Sequence, residues 1–308
     1  MTNYHNPVML TKAVEGLNVK PGYIYVDATF GGGGHSMAIL QKENGIKLFA
    51  FDQDNDAVMA AQKMQSEYDN FVFIKNNFRN LRTELSLNRI KKIDGIIFDL
   101  GISSHQIDKP ERGFSFMSEG DLDMRMDQKN ELSAKEVVNT YSREQLRNIL
   151  FQFGEEREAD RIARTIIDER KKKEIKTTSQ LSEIIERSIH SRFHIKAKAR
   201  VFQALRIYVN REIESLNQAL KESVDILNPN GRIVVISYHS IEDRVVKQFF
   251  KYEHLDCVCP VDYPKCLCNK VSTLNIITKK PIVPTDIEIR ANRRARSAKM
   301  RIAEKQGS

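Results

Sequence analysis

Short hydrophobic runs alternate with helix-forming stretches along the first hundred residues. The apolar runs occupy 23–26, 47–51, 71–74 and 93–98, and the clearest helical stretches occupy 35–42 and 57–67. Runs this short suit strands better than helices, and their alternation with helical patterns is typical of βαβ units. The pattern therefore predicts a parallel sheet.

A helical pattern without a convincing strand follows, over about 133–195. It contains a charged helix at 155–173 and a second helix at 179–190. A long helix comes next, because apolar residues keep three- and four-residue spacings from Phe202 to Leu227. Its end is predicted at the breaker cluster Asn228-Pro-Asn-Gly231.

Strand-like runs return at 232–237, 274–278 and 298–303, and Ser240 is predicted to cap the helix that follows the first of them. The simplest architecture is one α/β domain that is interrupted after its fourth strand by a helical insertion. We place the α/β domain at 1–110 and 210–304 and the insertion at 111–209.

Four consecutive glycines, Gly31–Gly34, lie between the first strand and the first helix. Such a turn lets the backbone approach a ligand closely, but it also occurs in nicotinamide, flavin and phosphate sites. Asp27 precedes the turn, where a carboxylate repels a pyrophosphate and suits an ammonium group. Asp52 ends the next strand, where a carboxylate accepts from ribose hydroxyls. Together they favour S-adenosylmethionine as cofactor over a dinucleotide, with a plain turn capped by aspartates as the alternative.

Asp99 ends the fourth predicted strand. Ligands of open α/β sheets lie beyond the carboxyl ends of the strands. We therefore expect Asp99 to face the transferred methyl group and to act in catalysis. The competing interpretation is that it caps the turn after the strand.

The composition is that of an ordinary globular protein with a basic surplus. Hydrophobic residues make up 41% and charged residues 29%, and 49 Lys and Arg against 41 Asp and Glu give a net charge of +8. No apolar run is long enough to span a membrane and no secretory signal is visible, so we expect a cytoplasmic protein with reduced cysteines.

Two segments concentrate the positive charge. Residues 187–211 hold seven Lys and Arg and no acid, and residues 289–308 hold seven against one Glu. Such runs neutralise phosphates in nucleic-acid-binding proteins, although a solvated surface is their commoner meaning. We favour contact with RNA, and we expect the helical insertion to be the RNA-recognition domain.

Cys257, Cys259, Cys266 and Cys268 form two C-x-C pairs. Four thiolates suit a structural zinc ion, but a spacing of one residue is tighter than usual. Reduced thiols without a metal are the alternative, and no metal is expected in catalysis.

Seven segments resemble the ribosomal RNA small-subunit methyltransferase H family, also called the MraW family. They are Asp27–Ser36, Asp99–Ser104, Glu111–Met117, Leu122–Asp127, Gly154–Arg157, Ser237–Arg244 and Arg294–Ala298. The resemblance covers nearly the whole chain. It implies a Rossmann-type class I methyltransferase α/β fold with a parallel sheet and an inserted all-helical domain. It also implies methylation of the exocyclic N4 amine of one cytidine in 16S ribosomal RNA by S-adenosylmethionine.

The resemblance further implies a set of cofactor-binding residues. They are Gly33, Gly34, His35, Asp52, Phe78, Asp99 and Gln106. The glycine turn, Asp52 and Asp99 also emerge from the residue pattern, whereas Gln106 rests on the resemblance alone. An aromatic ring at Phe78, just after the third strand, suits stacking on adenine, and packing in the core is its alternative. The small ribosomal subunit is the expected partner, and a homodimer is possible.

The target base has to leave its stack to reach such a site. Phe114, Phe116 and Met117 in a glycine-containing loop are candidates to receive it, and Tyr238–Ser240 are candidates to border it; ordinary packing is the alternative for both. The second hypothesis is a methyltransferase for DNA, another RNA or a small molecule. DNA amine methyltransferases usually carry Pro-Pro-aromatic after the fourth-strand acid, where this chain has Leu-Gly-Ile-Ser, which argues against them. A non-catalytic RNA-binding assembly protein is the third hypothesis.

Overall fold

The protein consists of two compact units. The computed structural model describes residues 7–189, 194–260 and 266–307. Residues up to Gly101 and from Ile213 onward form the sheet unit, and Ile102–Glu212 form the helical unit. The sequence-based boundaries lay at 110/111 and 209/210, and the compact units divide at 101/102 and 212/213.

The sheet unit contains one seven-stranded sheet. Its strands are β1 (Ile24–Asp27), β2 (Lys47–Phe51), β3 (Phe71–Ile74), β4 (Ile93–Asp99), β5 (Leu227–Ser237), β6 (Leu274–Ile276) and β7 (Lys299–Lys305), in the order β3-β2-β1-β4-β5-β7-β6. The first five strands are parallel, and β7 runs antiparallel to both β5 and β6. The predicted α/β fold with a mostly parallel sheet is confirmed.

Thirteen α-helices occur in the described residues. They are α1 (Leu10–Leu17), α2 (Gly34–Lys42), α3 (Asp56–Glu67), α4 (Leu81–Leu87), α5 (Ser104–Asp108), α6 (Ala134–Thr140), α7 (Arg143–Gly154), α8 (Ala159–Lys172), α9 (Thr178–Ser188), α10 (His194–Val209), α11 (Glu212–Ile226), α12 (Ser240–His254) and α13 (Asp286–Ala291). In these parts of the chain, no helix combines the length and the apolar character that a membrane span requires.

Alternation along the strands sorts side chains onto the two faces of the sheet. In β2, Leu48 and Ala50 pack in the layer that contains α1, α2 and α3, whereas Phe49 and Phe51 pack in the layer that contains α4, α11 and α12. Both faces are therefore buried, which is why the strands appear in the sequence as continuous apolar runs.

The helical unit has a hydrophobic core of its own, built from α6 to α10. Leu150 of α7, Ile162 of α8, Leu181 of α9 and Leu205 of α10 are almost completely buried in it. The predicted Phe114 also belongs to this core, and Phe116 packs edge-on against Phe202 with 5.6 Å between the ring centroids. Met117 is exposed.

The prediction of one long helix up to Leu227 is wrong. The chain forms α10 and α11 instead, with Asn210 and Arg211 between them. Arg211 has a left-handed φ of 50°, and the Asn210 side chain accepts from the Met126 N–H and donates to the Met124 carbonyl. These two hydrogen bonds stabilise the break between the helices, because they satisfy the buried side-chain amide of Asn210. In a continuous helix that amide would lose both partners.

Two other local predictions also need correction. The helix-ending cluster 228–231 lies inside β5, as an irregularity where Ile93 pairs with Leu227 and Gly95 pairs with Arg232. The N-cap of α12 is His239 rather than Ser240, since the His239 side chain accepts from the Glu242 N–H. The predicted helix end at His190 lies outside the described residues.

Candidate functional site

Three carboxylates lie at the carboxyl edge of neighbouring strands. Asp27 ends β1, Asp99 ends β4, and Asp52 directly follows β2. The strand β1 lies between β2 and β4, so the chain reverses its direction of winding there. Ligands of open α/β sheets bind at such a point, because the loops on its two sides diverge and leave a crevice.

The glycine turn is held in place by Asp52. The Gly31 N–H donates to Asp52 Oδ2 at 2.8 Å, and the Asp54 N–H donates to Oδ1 at 2.8 Å. Gly33 has a φ of 79°, and a Cβ on it would lie 2.7 Å from the Phe30 ring. Only glycine fits there. The aspartate predicted to bind ribose therefore also fixes the turn, and burial raises its pKa to about 6.

Asp27 is engaged inside the protein. It is buried, its Oδ1 accepts from the Thr29 N–H at 3.1 Å, and its Oδ2 accepts from the Ser36 hydroxyl at 2.7 Å. Burial raises its pKa. Because Ser36 lies on α2, the carboxyl ties the end of β1 to the helix after the glycine turn. The sequence pattern contained Ser36 but gave no sign of this bond.

The buried ring of His35 connects two segments. Its Nε2 lies 3.2 Å from the Val8 carbonyl oxygen, and its Nδ1 lies 3.5 Å from Asp99 Oδ2. A carbonyl can only accept, so Nε2 carries a proton, and burial lowers the pKa of the ring. The Nδ1 of the neutral ring is then an acceptor facing a carboxyl, an arrangement that favours a proton between them.

Asp99 is partly accessible. Its side chain is 22% exposed, its Oδ1 accepts from the Tyr238 hydroxyl at 2.7 Å, and its N–H donates to Thr29 Oγ1 at 2.6 Å. Burial raises its pKa to about 7, although the bond from Tyr238 acts in the opposite direction. Asp99 can therefore be protonated or ionised near neutral pH.

Tyr238, directly after β5, is the partner that sequence reasoning missed. The sequence indicates it only as a residue that borders the base. Its N–H donates to Glu242 Oε2 at 2.9 Å, and its ring would lie 3.3 Å from a Cβ on Gly101. Burial raises the pKa of its hydroxyl, so it remains a donor. The available signal was its position at a strand end beside β4, which becomes visible only once the strand order is known.

Phe78 and Gln106 are the two remaining residues predicted to bind the cofactor. Phe78 begins a 3-10 helix after β3, and its ring packs edge-on against Phe98, with 5.7 Å between centroids. It is half-buried, so part of the ring remains accessible. Gln106 belongs to the helical unit, where its side chain and that of Ser103 form a reciprocal cap at the start of α5.

The sheet and its polar edge define the class of this protein. A dinucleotide-binding Rossmann sheet is all parallel, whereas here the antiparallel β7 lies between β5 and β6. The desolvated carboxyls of Asp52 and Asp99 gain more from a cationic ligand than from a pyrophosphate. S-adenosylmethionine carries both a sulfonium and an ammonium group and fits this set of carboxyl acceptors. The protein is a class I, S-adenosylmethionine-dependent methyltransferase.

The chain belongs to the MraW methylase family, whose model matches residues 2–306. It is 47% identical over 306 residues to the ribosomal RNA small subunit methyltransferase H of Finegoldia magna, covering 98% of both chains. The enzyme of the same name from Carboxydothermus hydrogenoformans is 48% identical, with 98% and 97% covered. The one from Clostridioides difficile is 45% identical, with 99% and 100% covered. The predicted family is confirmed.

Proposed function

We propose that this protein methylates the exocyclic N4 amine of a cytidine in 16S ribosomal RNA, with Asp99 as the catalytic residue. The observation that carries the proposal is the accessible Asp99 carboxyl, with a pKa of about 7, beside the glycine turn of a MraW-family methylase. The relatives named above, which this chain matches over nearly their whole length, support the choice of RNA as substrate.

The cofactor would be held by the turn and the acids beside it. We assign binding to Gly33, Gly34 and His35 at the turn and to Asp52, Phe78 and Asp99 at the strand ends; Gln106 completes the set on the strength of the family resemblance. When bound, S-adenosylmethionine supplies a methyl group on a positively charged sulfur. The residues of this chain orient the cytosine amine and accept the proton that it releases.

Asp99 is suited to activate the methyl acceptor, the cytosine amine. The lone pair of a cytosine amine is delocalised into the ring, so the amine is a poor nucleophile. An ionised carboxylate that accepts an amine N–H favours a pyramidal nitrogen, and it stabilises the positive charge that develops there more than it stabilises the ground state. With a pKa of about 7, Asp99 is also suited to take the proton that the methylated amine releases.

Tyr238 acts as a positioning residue. Its hydroxyl holds Oδ1 of Asp99, which sets the direction of the other carboxylate oxygen. It also stabilises the ionised form of the acid, and so offsets part of the desolvation that raises the pKa. Without this bond, fewer Asp99 side chains would be ionised at neutral pH.

The two basic segments, 187–211 and 289–308, are the candidate RNA contacts, and they differ in how far nearby acids neutralise their positive charge. In 187–211, four cations face acids from elsewhere in the helical unit: Arg187 with Glu183, Lys198 with Glu186, Arg200 with Glu156 and Arg206 with Glu212. This segment is thus less positive than its sequence implies, and 190–193 lie outside the described residues. Acidic residues outside the segment thus neutralise part of the positive charge that the sequence shows within it.

The second segment offers a denser group of cations. Arg290, Arg293 and Arg296 are exposed, and with Ile289 they line one open depression of the sheet unit. Three guanidinium groups so close together suit phosphate oxygens, which they can bind in a bidentate manner. We assign RNA backbone contact to this group, and we assign a further role in RNA recognition to the helical unit.

The decisive experiment is mass spectrometry of ribosomal RNA nucleosides from strains with and without the gene. We expect N4-methylcytidine in 16S RNA to disappear in the deletion strain and to return with the wild-type gene but not with Asp99→Ala. Transfer of a tritiated methyl group to small subunits from the deletion strain then tests activity directly. Unchanged nucleosides together with no transfer would contradict the proposal and favour a non-catalytic assembly role.

The partner and compartment follow from the same proposal. A substrate in 16S RNA makes the small ribosomal subunit the partner and the cytoplasm the site of action. Sedimentation with naked 16S RNA and with purified subunits distinguishes the two forms of substrate, and sedimentation equilibrium of the protein alone tests the homodimer.

A further inference from the structure

All four cysteines of the chain lie together in the segment between α12 and β6. Their sulfur atoms are within 4.8 Å of one another. The Sγ atom of Cys266 lies 3.4 Å from that of Cys257 and 3.5 Å from that of Cys268, and 3.8 Å separates Cys257 from Cys268. A disulfide requires about 2.05 Å, so these are four separate thiols.

These distances match the edges of a metal–thiolate tetrahedron. A zinc–sulfur bond of about 2.3 Å places tetrahedral sulfurs about 3.8 Å apart, which is close to the separations observed. Reduced thiols without a metal have no attraction strong enough to gather four sulfurs around one point. Each C-x-C pair supplies two of the four corners.

Backbone amides point at the sulfurs in a reciprocal pattern. The N–H of Val258, within the first pair, donates to Cys268 Sγ at 3.3 Å, and the N–H of Leu267, within the second pair, donates to Cys259 Sγ at 3.3 Å. The Cys259 N–H donates to Cys257 Sγ at 3.4 Å. Such bonds stabilise thiolates and orient them toward a metal.

The segment also lacks a hydrophobic core. Among its described residues from 255 to 271, none is buried, and Leu267 and Val271 are 70% and 73% exposed. Its two ends are tied together, because the Thr273 N–H donates to the Glu253 carbonyl and the Leu274 carbonyl lies 3.0 Å from His254 Nδ1. A segment without apolar burial needs another source of order, which a metal supplies.

We propose that Cys257, Cys259, Cys266 and Cys268 bind one zinc ion in a closed, structural site. Four thiolate ligands leave no position for water or substrate, so the ion holds the segment together and takes no part in methyl transfer. This inference stands independently of the proposed function, since the cluster and the carboxyl edge of the sheet share no residue.

Metal analysis of the full chain, purified under reducing conditions with zinc in the medium, is the first test. We expect about one zinc per chain, and a zinc content near zero in the Cys257→Ser, Cys266→Ser double variant. Leu267→Ser is the matched control, because it changes an exposed side chain between two ligands and keeps every sulfur. It should retain the wild-type zinc content.

Two further measurements use the wild-type chain, so they test for zinc binding even if the double variant folds poorly. Replacement of zinc by cobalt in the wild-type chain should give the strong charge-transfer and d–d absorption of tetrahedral thiolate ligation. The thiol reagent DTNB should react with all four cysteines only after a chelator has removed the metal. Metal-free protein with four freely reactive thiols, or a mass about 4 Da lower from two disulfides, would overturn the proposal.

Discussion

The hydroxyl of Tyr238 donates a 2.7 Å hydrogen bond to Oδ1 of Asp99, and so joins the end of β5 to the end of β4. The two residues are 139 positions apart in the chain. They meet because β4 and β5 are neighbours in the sheet and both strands end at the same edge. This bond supports the carboxyl to which we assign catalysis.

Tyr238→Phe removes the donor without changing the ring. A hydrogen bond to a charged group is worth about 1.5–3 kcal/mol, so we expect kcat/KM to fall roughly ten- to hundredfold. The bond lowers the pKa of Asp99, so its loss should move the acidic limb of the pH–rate profile to higher pH. Tyr252→Phe, at an exposed tyrosine, is the control. A lower rate with an unmoved limb would show that Tyr238 acts only through packing.

Asp99→Asn tests the catalytic role itself. An amide keeps the shape but cannot take a proton, so turnover should fall by about 10²–10⁴-fold. For the wild type, kcat/KM should rise with pH up to about 7, where Asp99 becomes ionised, and then level off. The variant should lack this limb. Calorimetry with S-adenosylhomocysteine separates binding from turnover; full turnover with weaker binding would restrict Asp99 to a cofactor contact.

The same substitution should stabilise the fold at alkaline pH. The pKa of Asp99 is about 7 in the folded protein and about 3.8 in the unfolded chain, so the folded state holds the proton more tightly. The free energy of unfolding of the wild type therefore falls as pH rises from about 4 to 7. Asp99→Asn avoids this loss, which is at most about 4 kcal/mol. Its Tm should exceed that of the wild type at pH 8 and approach it near pH 4.

Gly33→Ala should weaken cofactor binding through the shape of the turn. The new Cβ would lie 2.7 Å from Phe30 at a φ of 79°, so the turn has to move. Gly22→Ala is a matched control, because Gly22 has a φ of 77° and nothing within 4 Å of the added atom. Both variants should lose about 1 kcal/mol of stability through the positive φ, and Gly33→Ala should lose more because of the clash. Only Gly33→Ala should reduce affinity for S-adenosylhomocysteine in calorimetry; equal losses of affinity would contradict the assignment.

Replacement of Arg290, Arg293 and Arg296 by Ala should weaken binding to RNA in a salt-dependent way. Removing three phosphate contacts from single-stranded RNA lowers the slope of log K against log salt by about 2. Arg187, Arg200 and Arg206 are the comparison, because each already faces an acid. Their replacement should change the slope less. If the two triple variants behaved in the opposite order, the helical segment would be the main phosphate contact.

Much of the fold was predictable from local pattern. The strand β2 begins and ends where its short apolar run predicted, and β3 does so as well. Hydrophobic periodicity succeeds there because each side chain contacts the core through its own position on a strand or helix. It failed at Asn210, where a side chain bonded to a loop more than eighty positions away divides one apolar stripe into two helices.

The sequence by itself determined the succession of strands along the chain, the glycine turn and the acids at the strand ends, since each depends on neighbouring residues alone. Only the tertiary structure decided that Tyr238 supports Asp99, that Asp52 fixes Gly31 and that acids face four of the seven cations in the basic segment 187–211. It also gathered four cysteines around one point. These relationships depend on which strands and helices become neighbours, and that is set by packing of the whole chain rather than by any local pattern.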